Sequence, residues 1–137
     1  MRIIFITLIL LFTTTTILKS QTQVELNFKW CEKYKESDKE LNLVYKNILE
    51  KYSLDTLFIQ NLRETQNNWI KLKDSDLELY MPTDLEEHMP FGSATMMCRC
   101  QFKIDLIKER TKFLKKWEDP GKRDGWMCGG TIRFGNN

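Results

Sequence analysis

The sequence lacks the motifs on which most hydrolases and nucleotide-binding enzymes depend. Its 137 residues contain one histidine, His88, and neither a G-x-S-x-G nucleophile motif nor a Walker phosphate-binding loop. A Ser-His or Cys-His enzyme would have to use His88, which falls in a predicted loop. Asp38 and Asp74 could approach each other as an acid-base pair, but Lys73 and Arg110 are better placed to neutralise them. We therefore predict that the protein is not an enzyme and has no catalytic residue and no cofactor.

The sequence has one long apolar run, at its start. Residues 3–12 are dominated by apolar side chains, follow the cationic Arg2 and lead into a run of threonines. This pattern is typical of a secretory signal peptide, whereas a membrane-spanning helix needs about 20 apolar residues in succession. We predict a signal peptide over residues 1–20, cleavage near Ser20, and one exported domain over residues 21–137 with no stable membrane anchor.

The mature chain also lacks an excess of either charge. Of the 21 basic residues in the precursor, Arg2 and Lys19 lie in the predicted signal peptide, which leaves 19 basic against 19 acidic residues. A near-neutral domain argues against binding to nucleic acid and against a basic membrane-binding surface. Together with the predicted signal peptide, this balance leads us to expect a periplasmic or secreted protein that does not bind nucleic acid.

Three segments have the periodicity of amphipathic helices. Apolar residues recur at spacings of three and four over about residues 32–52, 56–80 and 93–117. The short connection between the first two segments favours an antiparallel helical hairpin. The sequence thus predicts an all-α fold, an antiparallel three-helix bundle that runs up, down and up. Its core is expected over about residues 31–117, with a short irregular tail over 118–137.

Residue types at the helix ends mark the expected boundaries. We expect Ser37 or Asp38 to cap the regular part of the first helix, although that helix could also start near Cys31. Asp55 is expected to cap the second helix. The Pro-Gly pair at 120–121 is expected to stop the third.

Six polar residues are predicted to lie in the bundle interior. At a rise of about 1.5 Å per residue, Asn42 and Gln66 fall at one height, and Arg110 reaches roughly the same level. Asp38 and Lys73 fall together lower in the bundle. Since buried polar groups must be paired, we expect a hydrogen-bonded network that fixes helix register, in preference to a recognition cleft. The predicted members are Asp38, Asn42, Gln66, Lys73, Asp74 and Arg110.

The four cysteines, Cys31, Cys98, Cys100 and Cys128, all follow the predicted signal peptide. An even number in a small exported domain indicates two disulfides, with three connectivities open. Heights along the bundle place Cys31 at the same end as Cys98 and Cys100, so a bridge to either one would staple the first helix to the third. Such a bridge closes a loop of nearly 70 residues and is worth about 4 kcal/mol. Cys128 reaches the remaining cysteine only if the tail doubles back.

The segment over residues 88–100 supports a second hypothesis. It contains a histidine, methionines and the Cys98-x-Cys100 pair, which are soft ligands suited to copper. The same pair could serve thiol-disulfide exchange. In an oxidising compartment, however, disulfides are the favoured state of these thiols, and we expect no bound metal.

Three stretches, in this order, resemble the motifs of a known family. Residues 38–45, DKELNLVY, resemble D-x-E-L-N-x-x-Y, and residues 62–74, LRETQNNWIKLKD, resemble L-R-x-x-Q-x-x-W-[IL]-x-[YF]-R-D. Gly92-Ser93, a following cysteine and residues 109–114 resemble G-S…C…T-x-x-R-x-x-x-L. This is the pattern of the lysozyme-inhibitor LprI-like family of exported bacterial domains. The resemblance covers roughly residues 31–117 and implies a small helical exported domain, with lysozyme inhibition attributed to a namesake member.

The chain departs from this family pattern in three places. Leu77 stands where the family usually has a cysteine, and Lys73 replaces the usual arginine. The Cys98-x-Cys100 pair and Cys128 are additional cysteines. The departures imply a disulfide arrangement that differs from the usual one.

The predicted loop over residues 81–94 carries an acidic cluster of Asp84, Glu86 and Glu87. Lysozymes are usually cationic, so an acidic protrusion would steer the protein toward one. This cluster is therefore the candidate site for binding a protein partner such as lysozyme, although exposed acidic clusters are common and a solvated loop without a binding role is the favoured interpretation. The other alternative is an accessory domain with an unrelated partner.

Overall fold

The computed structural model describes residues 22–82 and 92–118. Within these two ranges it contains helices and turns and no strand, which confirms the predicted all-α, three-helix fold. The elements are α1 over Gln23–Lys51, α2 over Thr56–Tyr80, a 3₁₀ turn over Gly92–Ala94 and α3 over Thr95–Lys115. Several predicted features lie outside the described residues: the signal peptide, His88, the cluster of Asp84, Glu86 and Glu87, the tail after Glu118, and Cys128.

The start of α1 differs from the prediction. The helix begins at Gln23, so the predicted starts near Glu32 or Cys31 and the predicted caps inside it are wrong. Thr22 Oγ1 accepts a hydrogen bond from the backbone N–H of Glu25 at 3.2 Å, and the Glu25 carboxylate accepts one from the backbone N–H of Thr22 at 3.2 Å. This reciprocal capping box satisfies two donors that the first helical turn would otherwise leave unpaired.

The starts of α2 and α3 fall where the sequence placed them. Asp55 caps α2, as predicted, because its side chain accepts a hydrogen bond from the backbone N–H of Phe58 at 3.1 Å. α3 follows the 3₁₀ turn, whose first residue, Gly92, has a φ of 55°. Glycine adopts this left-handed conformation without the steric cost that a Cβ atom would add. α3 ends at Lys115, and Trp117 lies in the turn after it.

Helices α1 and α3 lie side by side and run in the same direction. Near their starts, the Asn27 side chain accepts a hydrogen bond from the backbone N–H of Met97 at 3.2 Å. Farther along both helices, Lys115 Nζ at the end of α3 donates to Glu40 Oε1 in the middle of α1 at 2.6 Å. Because the contacts advance along both sequences together, the two helices are parallel.

Helix α2 runs in the opposite direction. Close to its start, the Phe58 ring lies 5.3 Å from the ring of Trp117, which follows α3. At its end, the Tyr80 ring stacks on Phe102 of α3 with 4.4 Å between the ring centroids. Contacts therefore move back along α3 as they advance along α2, which gives the predicted up-down-up arrangement.

The core lies along one face of α1, where it meets the other two helices. Buried residues of α1 follow the spacing of three and four that places side chains on one helical face. Each large aliphatic side chain buried in this way contributes about 1.5–3 kcal/mol of transfer free energy. Trp69 packs against the cluster, whose buried members are Leu41, Val44, Ile48, Tyr52, Leu62, Ile107 and Leu114.

A disulfide between Cys31 and Cys100 staples α1 to α3, with 5.1 Å between their Cα atoms. The predicted bridge from Cys31 to Cys98 or Cys100 is thereby confirmed with Cys100 as the partner. Cys98 is half-buried and has no disulfide partner within the described residues. A second bridge to Cys128 remains a prediction.

Candidate functional site

Arg110 is the only charged side chain that is buried within the described part of the chain, with 8 % of its surface exposed. Its Nε donates a hydrogen bond to Oε1 of Gln66, also buried, at 2.9 Å. Its Nη2 is sealed from water and has no acceptor among the described residues. A buried donor without a partner costs about 1–3 kcal/mol, so the fold carries a penalty at this position.

Burial lowers the pKa of Arg110, because desolvation disfavours the charged form of the guanidinium. The ordinary pKa of arginine is so high that the group nevertheless stays protonated at neutral pH. Gln66 is a neutral acceptor and cannot balance this charge. The site therefore contains a permanent, desolvated cation that no described residue neutralises.

Two aromatic rings flank the Arg110 guanidinium. Its central carbon lies 5.7 Å from the centroid of the Trp69 ring and 5.2 Å from that of Phe113. Lys73 Nζ lies 5.7 Å from the same Trp69 ring. These distances fit cation-π contacts, in which the negative face of each ring offsets part of the cost of desolvating the cation.

The guanidinium and both rings line an open groove of about 270 Å³ between α2 and α3. Most of the groove surface is apolar, and its apolar side chains are those of Trp69, Leu72, Leu106 and Phe113. The charged side chains are two of each sign, from Lys73, Asp76, Glu109 and Arg110. Each helix contributes residues at i, i+3, i+4 and i+7, which is the spacing of one helical face.

Of the other residues of the predicted polar network, only Lys73 lies in the same groove as Arg110, near the same Trp69 ring. Asn42 donates to Asp38 at 3.0 Å across one turn of α1, and Asn42 is exposed. Lys73 Nζ lies 3.3 Å from the carboxylate of Asp74, whose side chain is also exposed. In the described part of the chain no hydrogen bond or ion pair joins these two pairs to Gln66 and Arg110. The structure thus has three separate pairs where one interior network was expected.

Sequence reasoning missed the groove residues Leu72, Asp76, Leu106, Glu109 and Phe113. The available signal was the helical spacing that these residues share with Trp69, Lys73 and Arg110. The residues at this spacing are partly charged and partly apolar, as on an ordinary exposed helix surface. The groove can be recognised only when α2 and α3 are placed side by side.

The Cys98-x-Cys100 segment does not present two thiols in this structure, because Cys100 is bonded to Cys31. Among the described residues, no group of three or more histidine, cysteine, aspartate or glutamate side chains could hold a metal ion. Within the described ranges, no helix combines the length and the apolar character that crossing a membrane requires.

Comparison with models of protein families shows the family of this chain. The family described as Lysozyme inhibitor LprI matches residues 18–114, which include α1, α2 and all of α3 except its last residue. No curated protein and no solved structure matches the chain. Since the match covers well over half of the 137 residues, the chain belongs to the lysozyme inhibitor LprI family.

Proposed function

We propose that the chain is an exported, non-enzymatic binding protein that inhibits lysozyme. The observation that carries this function is the family match over residues 18–114, which covers all three helices except the last residue of α3. The disulfide between Cys31 and Cys100 supports a location outside the cytoplasm, because such bonds persist in oxidising compartments. A stapled helical frame also suits an inhibitor, since a rigid surface loses little entropy on binding.

The acidic loop is the proposed lysozyme-binding feature. Asp84, Glu86 and Glu87 occur in the segment between α2 and the 3₁₀ turn that precedes α3. Met81, at the end of α2, is buried, and its carbonyl accepts a hydrogen bond from Arg99 at 2.6 Å, so the base of this segment is fixed. Three carboxylates beside a cationic enzyme would raise the association rate, an effect that salt screens.

The test is a lysozyme assay on a suspension of bacterial cell walls. Purified mature protein should lower the turnover of a cationic lysozyme in proportion to its concentration, and added salt should weaken the effect. Unchanged turnover at a micromolar excess of the mature protein would exclude inhibition of that enzyme.

A pair of charge-reversal variants tests the loop. Glu86→Lys together with Glu87→Lys should weaken inhibition, chiefly through slower association. Glu36→Lys together with Glu64→Lys is the matched control, because it changes net charge equally at two exposed helix positions. The control should inhibit as well as the parent protein. If both variants lose the same amount of inhibition, or if neither loses any, the loop is not the part of the protein that contacts lysozyme.

A further inference from the structure

We propose that the groove between α2 and α3 binds a single carboxylate of a protein partner, presented beside an apolar side chain. The carboxylate would pair with the Arg110 guanidinium, and the apolar neighbour would pack on Trp69 and Phe113. This site is additional to the acidic loop that is proposed above as the lysozyme-binding feature.

The unpaired guanidinium is the main evidence for a carboxylate. Arg110 is more than nine-tenths buried and lines the groove, and within the described residues no carboxylate forms an ion pair with it. Its one described hydrogen bond goes to the neutral amide of Gln66. Buried cations in proteins are ordinarily paired with anions, and a hydrogen bond from arginine to a carboxylate is charge-assisted and therefore strong.

The walls of the groove are the evidence for an apolar neighbour and for a protein partner. Leu72 and Phe113 are 58 % and 42 % exposed although both are large and apolar. The volume of about 270 Å³ is below the range of roughly 300–1,000 Å³ that is usual for small-molecule sites. It suits one anchoring side chain of the kind that dominates the energetics of protein interfaces.

The remaining charges of the groove limit how acidic the partner segment can be. Lys73 adds a second cation, and its ammonium group is already 3.3 Å from the Asp74 carboxylate. Asp76 and the exposed Glu109 also line the groove and would repel a strongly acidic segment. The charges therefore fit one carboxylate that enters with an apolar side chain, and they do not fit a polyanion.

The test uses two capped dipeptides as probes, acetyl-Phe-Glu-amide and acetyl-Phe-Gln-amide, which have nearly the same shape and differ in charge. Each is titrated into the ¹⁵N-labelled mature protein, and the Nε–H resonance of Arg110 and the indole N–H resonance of Trp69 are followed. The glutamate peptide should bind about tenfold or more tightly than the glutamine peptide, because it adds a charge-assisted hydrogen bond. Both resonances should shift with the same saturation curve.

Arg110→Met should abolish the preference for the glutamate peptide. Methionine is apolar and similar in length, and replacing a buried charge that has no counter-ion should leave the fold intact. Phe113→Ala is the matched variant, because it keeps the guanidinium and removes one apolar wall of the groove. It should lower the affinity for both peptides by the same factor. Thermal unfolding of each variant verifies that it is folded.

Three results would overturn this site: equal affinity of the parent protein for the two peptides, no saturable shift with either at millimolar concentration, or a preference that survives in Arg110→Met. If Arg110→Met does not fold, the comparison of the two peptides on the parent protein still decides. The assay contains no lysozyme, so its failure would leave inhibition unaffected, and a failure to inhibit would leave the groove unaffected.

Discussion

Removal of the Cys31–Cys100 bridge is expected to destabilise the protein by about 4 kcal/mol. The bridge joins residues 69 apart in sequence, and the chain-entropy model for a loop of this length gives that value at 25 °C. Small domains have unfolding free energies of about 5–15 kcal/mol, so the loss is a large fraction of the total. For a mature chain of about 117 residues, the melting temperature should fall by roughly 15–20 °C.

The measurement requires a background in which this bridge is the only one that can form. Both proteins therefore carry Cys98→Ser and Cys128→Ser, and one of them also carries Cys31→Ser and Cys100→Ser. Urea unfolding followed by circular dichroism compares their free energies of unfolding. Reducing agent should lower the stability of the protein that keeps Cys31 and Cys100 to that of the protein without cysteines. It should leave the stability of the protein without cysteines unchanged. A difference below about 1 kcal/mol would refute the entropic account of this staple.

Ile48→Ala should cost about 2–5 kcal/mol in urea unfolding because Ile48 is fully buried, whereas Leu54→Ala should cost almost nothing because Leu54 is 94 % exposed. Gln66→Leu removes the acceptor from the groove arginine and should cost about 1.5–3 kcal/mol, while Gln60→Leu, at an exposed position of α2, serves as its control. Thiol titration of the native mature protein should find no free thiol, since Cys98 is expected to pair with the tail cysteine. Two or more free thiols would instead revive the copper or redox hypothesis.

Helix type and helix direction could be predicted from the sequence because both depend on local chemistry. The apolar spacing of α2 specifies one buried face, and Asp55 supplies an acceptor for the first turn. Three residues between Tyr52 and Thr56 leave no room for any connection but a tight reversal. These signals need no knowledge of distant contacts.

The first turns of α1 have no comparable apolar signal. Val24 and Phe28 are exposed, so the segment over residues 23–30 does not present a helical apolar face. It is held by the Thr22 capping box and by Asn27, whose side-chain amide donates to the Ser93 carbonyl at 3.0 Å. The capping-box signature, threonine followed three residues later by glutamate, was the local feature that could have located this start.

The polar network shows the limit of reasoning from height alone. A constant rise per residue places Gln66 and Arg110 at one level, and the two side chains do meet. The same arithmetic places Asn42 at that level, but Asn42 follows the buried Leu41 by one residue. One residue turns the helix by about 100°, so Asn42 faces away from the core. The height of a residue along the bundle follows from counting residues. The direction in which its side chain faces can be known only when the neighbouring helices that cover one side of its helix have been placed.

Arg110 is therefore the residue whose role changes most between sequence and structure. From the sequence it is one member of a network that fixes helix register, and such a role requires each buried polar group to be satisfied. In the structure one of its nitrogens has no described acceptor, and its charge has no described counter-ion. A residue kept only for stability would be better replaced by an apolar one. Buried groups that lack a hydrogen-bond partner or a counter-ion concentrate at functional sites. This tendency is the physical reason for assigning Arg110 to binding.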